Sequence, residues 1–311
     1  AKEKNLQIQY TNYNDNCEPK LGLTGEYVTI ISRDEKGNIL SKYFTDKNGK
    51  RIFNIMGQYE LKYSYEFRPK EITVVNIDKN GKVIPDINGD EQYYYSYNKL
   101  NGLERSYKKK SRLHVDELTD ISIEELNYDE FGYTIMRSFY DFEYSPVQDN
   151  NGVWRLVNSR DRYGNLNMEA TFNSNNLLVN DSRGAAITFW EYDSLGRITE
   201  YAEYDKGKVL LFDNDGYGKV RYAYDSLNRI VEMWNLNGYD YPIKSDFSGP
   251  ISYFEFDSTG KTSYSFYKDQ DGNRCSTLLG FYSSKYIYDN QNNVISTSYY
   301  DEDGQLTEAQ Y

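Results

Sequence analysis

Side chains able to do acid–base, nucleophilic or metal chemistry are plentiful in one class and scarce in the others. The 311-residue chain has 48 Asp and Glu but a single histidine, His114, and two cysteines, Cys17 and Cys275. A thiol nucleophile needs a base within hydrogen-bond reach, and His114 lies in a different part of the chain from either cysteine. Carboxylate pairs for general acid–base work are so numerous that the sequence singles none out. No G-x-S-x-G, H-E-x-x-H, C-x-x-C or phosphate-cradling glycine loop occurs. The expectation is a chain that is not an enzyme and uses no cofactor and no metal.

Two groupings still have the right types for binding. Asp213-Asn-Asp-Gly216, Asp269-Gln-Asp-Gly272 and Asp301-Glu-Asp-Gly304 offer carboxylates to calcium, which takes 6–8 oxygen ligands. The later Glu of a helix-loop-helix calcium site is missing. Hairpin turns need the same residues: Asp accepts backbone N–H bonds two or three residues on, and Gly supplies positive φ after a type I turn. Turn chemistry is the reading adopted, with calcium as the alternative. The second grouping is aromatic. Phe44, Phe139, Tyr201, Tyr267 and Tyr299 sit at alternate positions of strands, and rings spaced along a sheet suit sugars or peptides at about 0.5–1.5 kcal/mol per stacked contact. They are the expected ligand-binding residues; the alternative is that a second layer buries them as core.

What positions these residues is a repeat. Asp129, Asp161, Asp193, Asp225, Asp257 and Asp289 are spaced by 32, and Asn98, Glu66 and Asp34 extend the series backward after one step of 31. Three residues after the mark stand turn formers such as Gly132, Gly164, Gly196, Asn228 and Gly260. A second turn follows at Asp46, Asp78, Asp141, Asp205, Asn237, Asp269 and Asp301, and a third at Asn54–Gly57, Asp86–Gly89, Asp149–Gly152 and Asp181–Gly184, weakening to Asp246-Phe-Ser-Gly249 and Thr277-Leu-Leu-Gly280. Before each mark large rings alternate with small or polar residues, as in Trp190-Glu-Tyr192 and Tyr222-Ala-Tyr224. That period of two makes strands.

The implied fold class is all-β: an elongated β-hairpin or meander solenoid of about ten 32-residue repeats, with a parallel β-helix as the alternative. Residues 1–311 read as a single array. The unit at about 98–128 is irregular: Lys108-Lys-Lys-Ser-Arg112 takes the place of the second turn, and Asp116–Leu126 replaces the third as a short helix or a disguised strand. Residues 1–32 are already in phase, with turns at Asn14–Cys17 and Gly22–Gly25. Neither end shows a polar cap, which leaves end-to-end or edge association open.

With 34 tyrosines and only 38% hydrophobic residues, the buried side must be largely aromatic, each ring removing roughly 150–250 Å² from water. A net charge of −12 disfavours nucleic acid as a partner. No run approaches the ~20 apolar residues of a membrane-crossing helix, so membrane insertion is not expected. The first residue is Ala1 rather than Met, in keeping with a processed or trimmed precursor. The partner expected is a protein or a glycan, met at a bacterial cell surface or in secretion.

Tyr192-Asp193-Ser-Leu-Gly196-Arg197-Ile198-Thr199 resembles the YD repeat of the bacterial Rhs and vertebrate teneurin families. Tyr224-Asp225-Ser-Leu-Asn228-Arg229-Ile230 and Tyr128-Asp129-Glu-Phe-Gly132 are weaker copies, and the aromatic–Asp pair returns at Phe256-Asp257 and Tyr288-Asp289. The resemblance implies hairpins wound into a spiral shell that encloses a toxin or presents an adhesive surface. The 32-residue period is longer than the family's, most copies lack the Arg, and no segment resembles the self-cleaving core domain. A non-catalytic binding module is the primary expectation. The alternatives are a shell fragment of an Rhs-like toxin-delivery protein and a repeat-built polysaccharide-active enzyme.

Overall fold

The computed structural model describes residues 6–12, 20–23, 25–67, 70–115, 119–213 and 217–308. Cys17 with the turn Asn14–Cys17, Thr24, Pro69, residues 116–118 of the acidic segment and Asn214, Asp215 and Gly216 lie outside them. The chain divides into two compact units, Ala1–Val157 with Asn173–Asn176, and Asn158–Phe172 with Leu177–Tyr311. Among the described residues no helix is long and apolar enough to cross a membrane.

Both units are antiparallel meanders of hairpins, as the turn pattern required. In the second unit Ile187–Tyr192 pairs with Ile198–Tyr204, Lys219–Tyr224 with Ile230–Leu236, Ile251–Phe256 with Thr262–Lys268, and Ser283–Tyr288 with Val294–Tyr300. Each hairpin joins the next by a shorter ladder, such as Glu232↔Tyr253 to Trp234↔Ile251. The first unit repeats the scheme from Val28–Arg33 with Ile39–Thr45 to Ile123–Tyr128 with Thr134–Tyr140. Among the described residues every registered pair is antiparallel, which rules out the parallel β-helix.

The turn acid works at one residue's longer reach than expected. Asp193 Oδ1 accepts from the backbone N–H of Leu195 at 2.9 Å and of Arg197 at 3.0 Å, while Gly196 N–H donates to the Asp193 carbonyl at 3.0 Å. Gly196 has φ 78°, the left-handed region a Cβ disfavours. The bonds fall two and four residues on, rather than two or three, because the fourth residue closes the ladder.

This turn inserts one extra residue. Glu191 faces Glu200 but Tyr192 faces Ile198, leaving Thr199 unpaired, and the same shift occurs at Tyr224/Ile230, Phe256/Thr262 and Tyr288/Val294. Such a bulge reverses the face of every residue beyond it. Strict alternation counted through the turn therefore assigns wrong neighbours. Trp190 shares its face with Tyr201, and Phe189 shares the other with Ala202.

The face carrying the ring before each Asp is held by a hydroxyl latch. Tyr224 Oη–H donates to the Ile198 carbonyl at 2.7 Å, Tyr288 to Thr262 at 2.8 Å, and, in the first unit, Tyr65 to Ile39 at 2.8 Å. Arg197 closes the same joint: two of its nitrogens hold Asp193 Oδ2 at 2.6 Å and its guanidinium lies 4.5 Å from the Tyr224 ring centroid. Arg229 repeats this on Asp225 and Phe256. The Tyr-Asp-x-x-Gly-Arg string is thus a joint between consecutive hairpins as well as a turn.

After the second turn the chain returns through an isolated bridge in six repeats, Ile77↔Val83, Tyr140↔Pro146, Phe172↔Leu178, Tyr204↔Leu210, Leu236↔Pro242 and Lys268↔Arg274, and through two-residue ladders at Thr45↔Arg51 and Tyr300↔Leu306. Third turns then bond to one another, Ile87 N–H to the Met56 carbonyl at 2.8 Å and Leu278 N–H to that of Ser245 at 3.1 Å. The weak third turn closes at Ser245–Ser248, where Ser245 N–H donates to the Ser248 carbonyl at 2.9 Å, and not at Asp246–Gly249. Ser245 Oγ accepts the Ser248 N–H at 3.0 Å, doing the work expected of an Asp.

The irregular unit departs from expectation at its basic run. Lys108–Lys110 ends the strand Leu103–Lys110 instead of forming a turn, and a single 3-10 turn, Arg112–His114, follows. Ile123–Tyr128 is a strand paired from Lys109↔Ile123 to Arg105↔Asn127, which decides the segment's described end in favour of a strand.

Candidate functional site

The five aromatics chosen from the sequence all fall on the latch face, since their cross-strand partners are Thr29, Glu124, Trp190, Ser252 and Ser284. Their accessibility differs. Phe44 is 1% exposed and Tyr267 5%, so neither presents a ring to a ligand. The returning chain covers them: Ile52 pairs with Phe44, and Tyr267 lies under the Ser245–Ser248 turn, donating its hydroxyl to the Phe247 carbonyl at 3.1 Å. Burial pushes the Tyr267 phenol pKa up. Tyr201 and Tyr299 are half-buried, the first 6.1 Å from the Trp190 ring and the second 4.6 Å from that of Phe281.

Phe139 is half-buried and lines a cavity of about 510 Å³ in the first unit with Asp90, Lys108, Lys110, Glu124 and Arg137. Arg137 Nε holds Glu124 at 2.7 Å and the guanidinium lies 5.1 Å from the Phe139 ring. Burial, then the nearby Asp86 charge, raises the Asp90 carboxyl pKa.

A more aromatic slot opens on the opposite face of the second unit. It has a volume of about 530 Å³ and is lined by Glu255, Ser263, Tyr264, Arg274, Tyr282, Ser283, Lys285 and Tyr300. Tyr264 reaches it from Thr262–Lys268, directly across from Glu255 on one side and Lys285 on the other. Phe266, two residues on, stacks on Tyr253 at 5.1 Å and 12°, and lies 5.9 Å from Tyr264 and 6.3 Å from Tyr282. Arg274 stands 5.3 Å from the Tyr282 ring, and Lys268 5.2 Å from that of Tyr253. Tyr282 is itself buried, at 9% exposure, and burial raises the phenol pKa of Tyr282 and Tyr253, keeping both neutral hydrogen-bonding groups. Flat rings, hydroxyls, one carboxylate and cations around an open slot can stack on and hydrogen-bond a polar ring-shaped ligand.

Sequence reasoning missed Tyr264 and Tyr300 because it weighed the residues six, eight and ten after each mark, and Tyr282 because it precedes the strand Ser283–Tyr288, outside that count. The bulge puts the eighth and tenth on the latch face and the residues seven, nine and eleven after the mark on the slot face. The available signal was departure from the repeat. Tyr264 stands where other hairpins have Met168, Glu200, Glu232 and Ser296, whereas the place of Tyr282 is held by a ring again at Tyr59 and Trp154.

The acidic turns are occupied by their own backbone. Asp269 Oδ1 accepts from Asp271 and Asn273 N–H at 3.0 and 2.9 Å, and its Oδ2 from the Asn273 amide at 3.2 Å. Among the described residues no group of three or more His, Cys, Asp or Glu is placed to hold a metal ion. His114, the one histidine, sets Nδ1 2.9 Å from Ser111 Oγ. Cys275 is buried and unpaired.

No protein-family model and no curated protein matches this sequence. Solved structures similar to it include the TcdB2–TccC3 crystal structure, at 11% identity and a TM-score of 0.31, covering 93% of this chain and 16% of that one. Another is the Photorhabdus luminescens Tc holotoxin pore carrying a TccC3 mutation, at 12% identity and a TM-score of 0.30, covering 91% of this chain and 16% of that one.

Proposed function

We propose that the chain is a non-catalytic binding module, displayed on or secreted from a bacterial cell, whose slot at Tyr264 and Tyr300 holds a glycan. The observation that carries this reading is the departure of Tyr264 from the repeat. Turns, bulges and latches recur without it, so architecture does not require a ring at a position that is Met168, Glu200 or Glu232 elsewhere. The half-buried rings of Tyr264 and Tyr300, both lining the slot, supply about 1–3 kcal/mol of stacking in all, enough for selective but modest affinity. Glu255, Ser263 and the tyrosine hydroxyls line the same slot and supply the hydrogen bonds that orient sugar hydroxyls.

The test is a glycan array probed with the purified chain, repeated with Tyr264→Ala. Binding that weakens about tenfold in the variant, one ring's worth of stacking, at an unchanged melting temperature supports the slot. No bound saccharide across the array removes the reading.

A second reading, a wall segment of a YD-repeat shell, is favoured by the hydroxyl latches at Tyr192, Tyr224 and Tyr288, which join consecutive hairpins as a continuous wall needs. Electron microscopy of the longest expressible chain tests it: a closed chamber supports a shell, and an open array argues against one.

A further inference from the structure

The pair that closes a repeat after its second turn is apolar in six of its eight described copies. Ile77 faces Val83, Tyr140 faces Pro146, Phe172 faces Leu178, Tyr204 faces Leu210, Leu236 faces Pro242, and Tyr300 faces Leu306. In the seventh Thr45 faces Arg51, and in the eighth Lys268 faces Arg274, the one pair of like charges among them. Two like charges placed directly opposite each other destabilise a strand pair, and the apolar copies show that the fold has no need of them. Something other than folding must account for the pair.

The surroundings sharpen this. In the same unit Arg183, Arg197, Lys219, Arg221 and Arg229 each hold a carboxylate, at 2.8, 2.6, 2.5, 2.7 and 2.6 Å. Among the described residues, none of Lys268, Arg274 and Lys285 is in an ion pair; Lys268 lies over Tyr253 and Phe266, Arg274 over Tyr282, and Lys285 stands exposed beside Tyr264. Arg274 and Lys285 both line the slot. A chain of net charge −12 has thus gathered cations without a carboxylate partner around one aromatic recess, Arg274 donating to the Glu302 backbone carbonyl and Glu255 standing as the one acid among the lining residues.

We infer that the slot selects an acidic saccharide, its ring against Tyr264 and Tyr300 and its anionic group against Arg274 and Lys285, with Lys268 adding positive potential behind them. This rests on the glycan reading above and names the chemical class of its ligand. The planar guanidinium of Arg274 suits a carboxylate. In this position the cations cost stability in the free chain and regain it when the anion enters.

Calorimetry with oligogalacturonate and oligoglucuronate, each beside its neutral methyl ester, tests the inference. The acids are expected to bind at least about tenfold more tightly than their esters at low salt, the size of one charge-assisted hydrogen bond, and the gap narrows as salt is raised. The double variant Lys268→Leu with Arg274→Leu restores the apolar pair of most other repeats. It is expected to melt no lower than the parent and to lose most of the preference for acid over ester, Lys285 keeping the remainder. Equal binding of acid and ester by the parent, or a preference undiminished in the double variant, overturns the inference while leaving the glycan reading standing. Failure of both acids and both esters to bind, on a parent that also binds nothing on the array, overturns both.

Discussion

The phenol of Tyr192 donates a 2.7 Å hydrogen bond to the carbonyl of Leu166, a residue 26 positions earlier in the preceding hairpin. The same bond recurs from Tyr224 to Ile198 and from Tyr288 to Thr262, and it is missing where Phe256 occupies the equivalent place. Tyr224→Phe is expected to cost about 0.5–1.5 kcal/mol, the net worth of one such bond. Phe256→Tyr is expected to add a similar amount. Urea midpoints of the two variants check both signs together.

Arg197 combines four contacts, to Asp193 at 2.6 Å, to Asn228 Oδ1 at 2.9 Å, to the Asp225 carbonyl at 3.4 Å and to the Tyr224 ring at 4.5 Å. A lysine has one nitrogen and no planar face. Arg197→Lys should therefore recover less than half of what Arg197→Ala loses, the latter costing about 1–2 kcal/mol when ion pair and ring contact are counted together. A double-mutant cycle with Tyr224→Leu isolates the ring contribution.

Lys208 closes a second turn with φ 63°, at the place Gly81 and Gly272 hold in other repeats. A side chain in the left-handed region costs roughly 1–2 kcal/mol, partly offset by the extra entropy glycine carries in the unfolded chain. Lys208→Gly is expected to stabilise by up to about 1 kcal/mol. A melting temperature at or below the parent's would show that the turn holds no such strain.

Gly249 lies against the buried Tyr267: a Cβ built there would stand 2.4 Å from the Tyr267 Cβ and 3.5 Å from the Cys275 carbonyl. Gly249→Ala must push the covering turn off the ring. The expected loss is about 1–3 kcal/mol, with Tyr267 fluorescence and iodide quenching reporting a more exposed phenol.

The first-turn acids set the response to pH. The Asn38 amide holds the Asp34 carboxyl below the usual carboxylate range, as the Asn165 amide does for Asp161 and that of Asn293 for Asp289. A folded-state pKa below the unfolded value stabilises the fold above the ordinary pKa of about 3.9, and that contribution disappears as pH falls through the lower folded value. Urea midpoints should hold steady down to about that pH and then fall. Asp161→Asn keeps the acceptor without the charge, so it should flatten the acid limb by one group's share.

Turn chemistry made the period, the hairpins and their count readable from the chain alone, because each Asp-x-x-Gly string acts within four or five residues of itself. Asp193 bonds to Leu195 and Arg197, and no distant residue is needed. The joint between hairpins was visible as a motif but not as a bond, since the partner of Tyr192 is a backbone carbonyl, which sequence does not label. The faces of the strands were out of reach. Each bulge reverses the parity of the residues beyond it, so Tyr264 and Tyr300 point with Glu255 and Lys285 into the slot while Tyr267 turns under the Ser245–Ser248 cover. Local dihedral preferences fix turns, and those the sequence by itself determined. Which rings are buried and which line a slot depends on how a bulged strand packs under a turn some twenty residues away, and only the tertiary structure decides that.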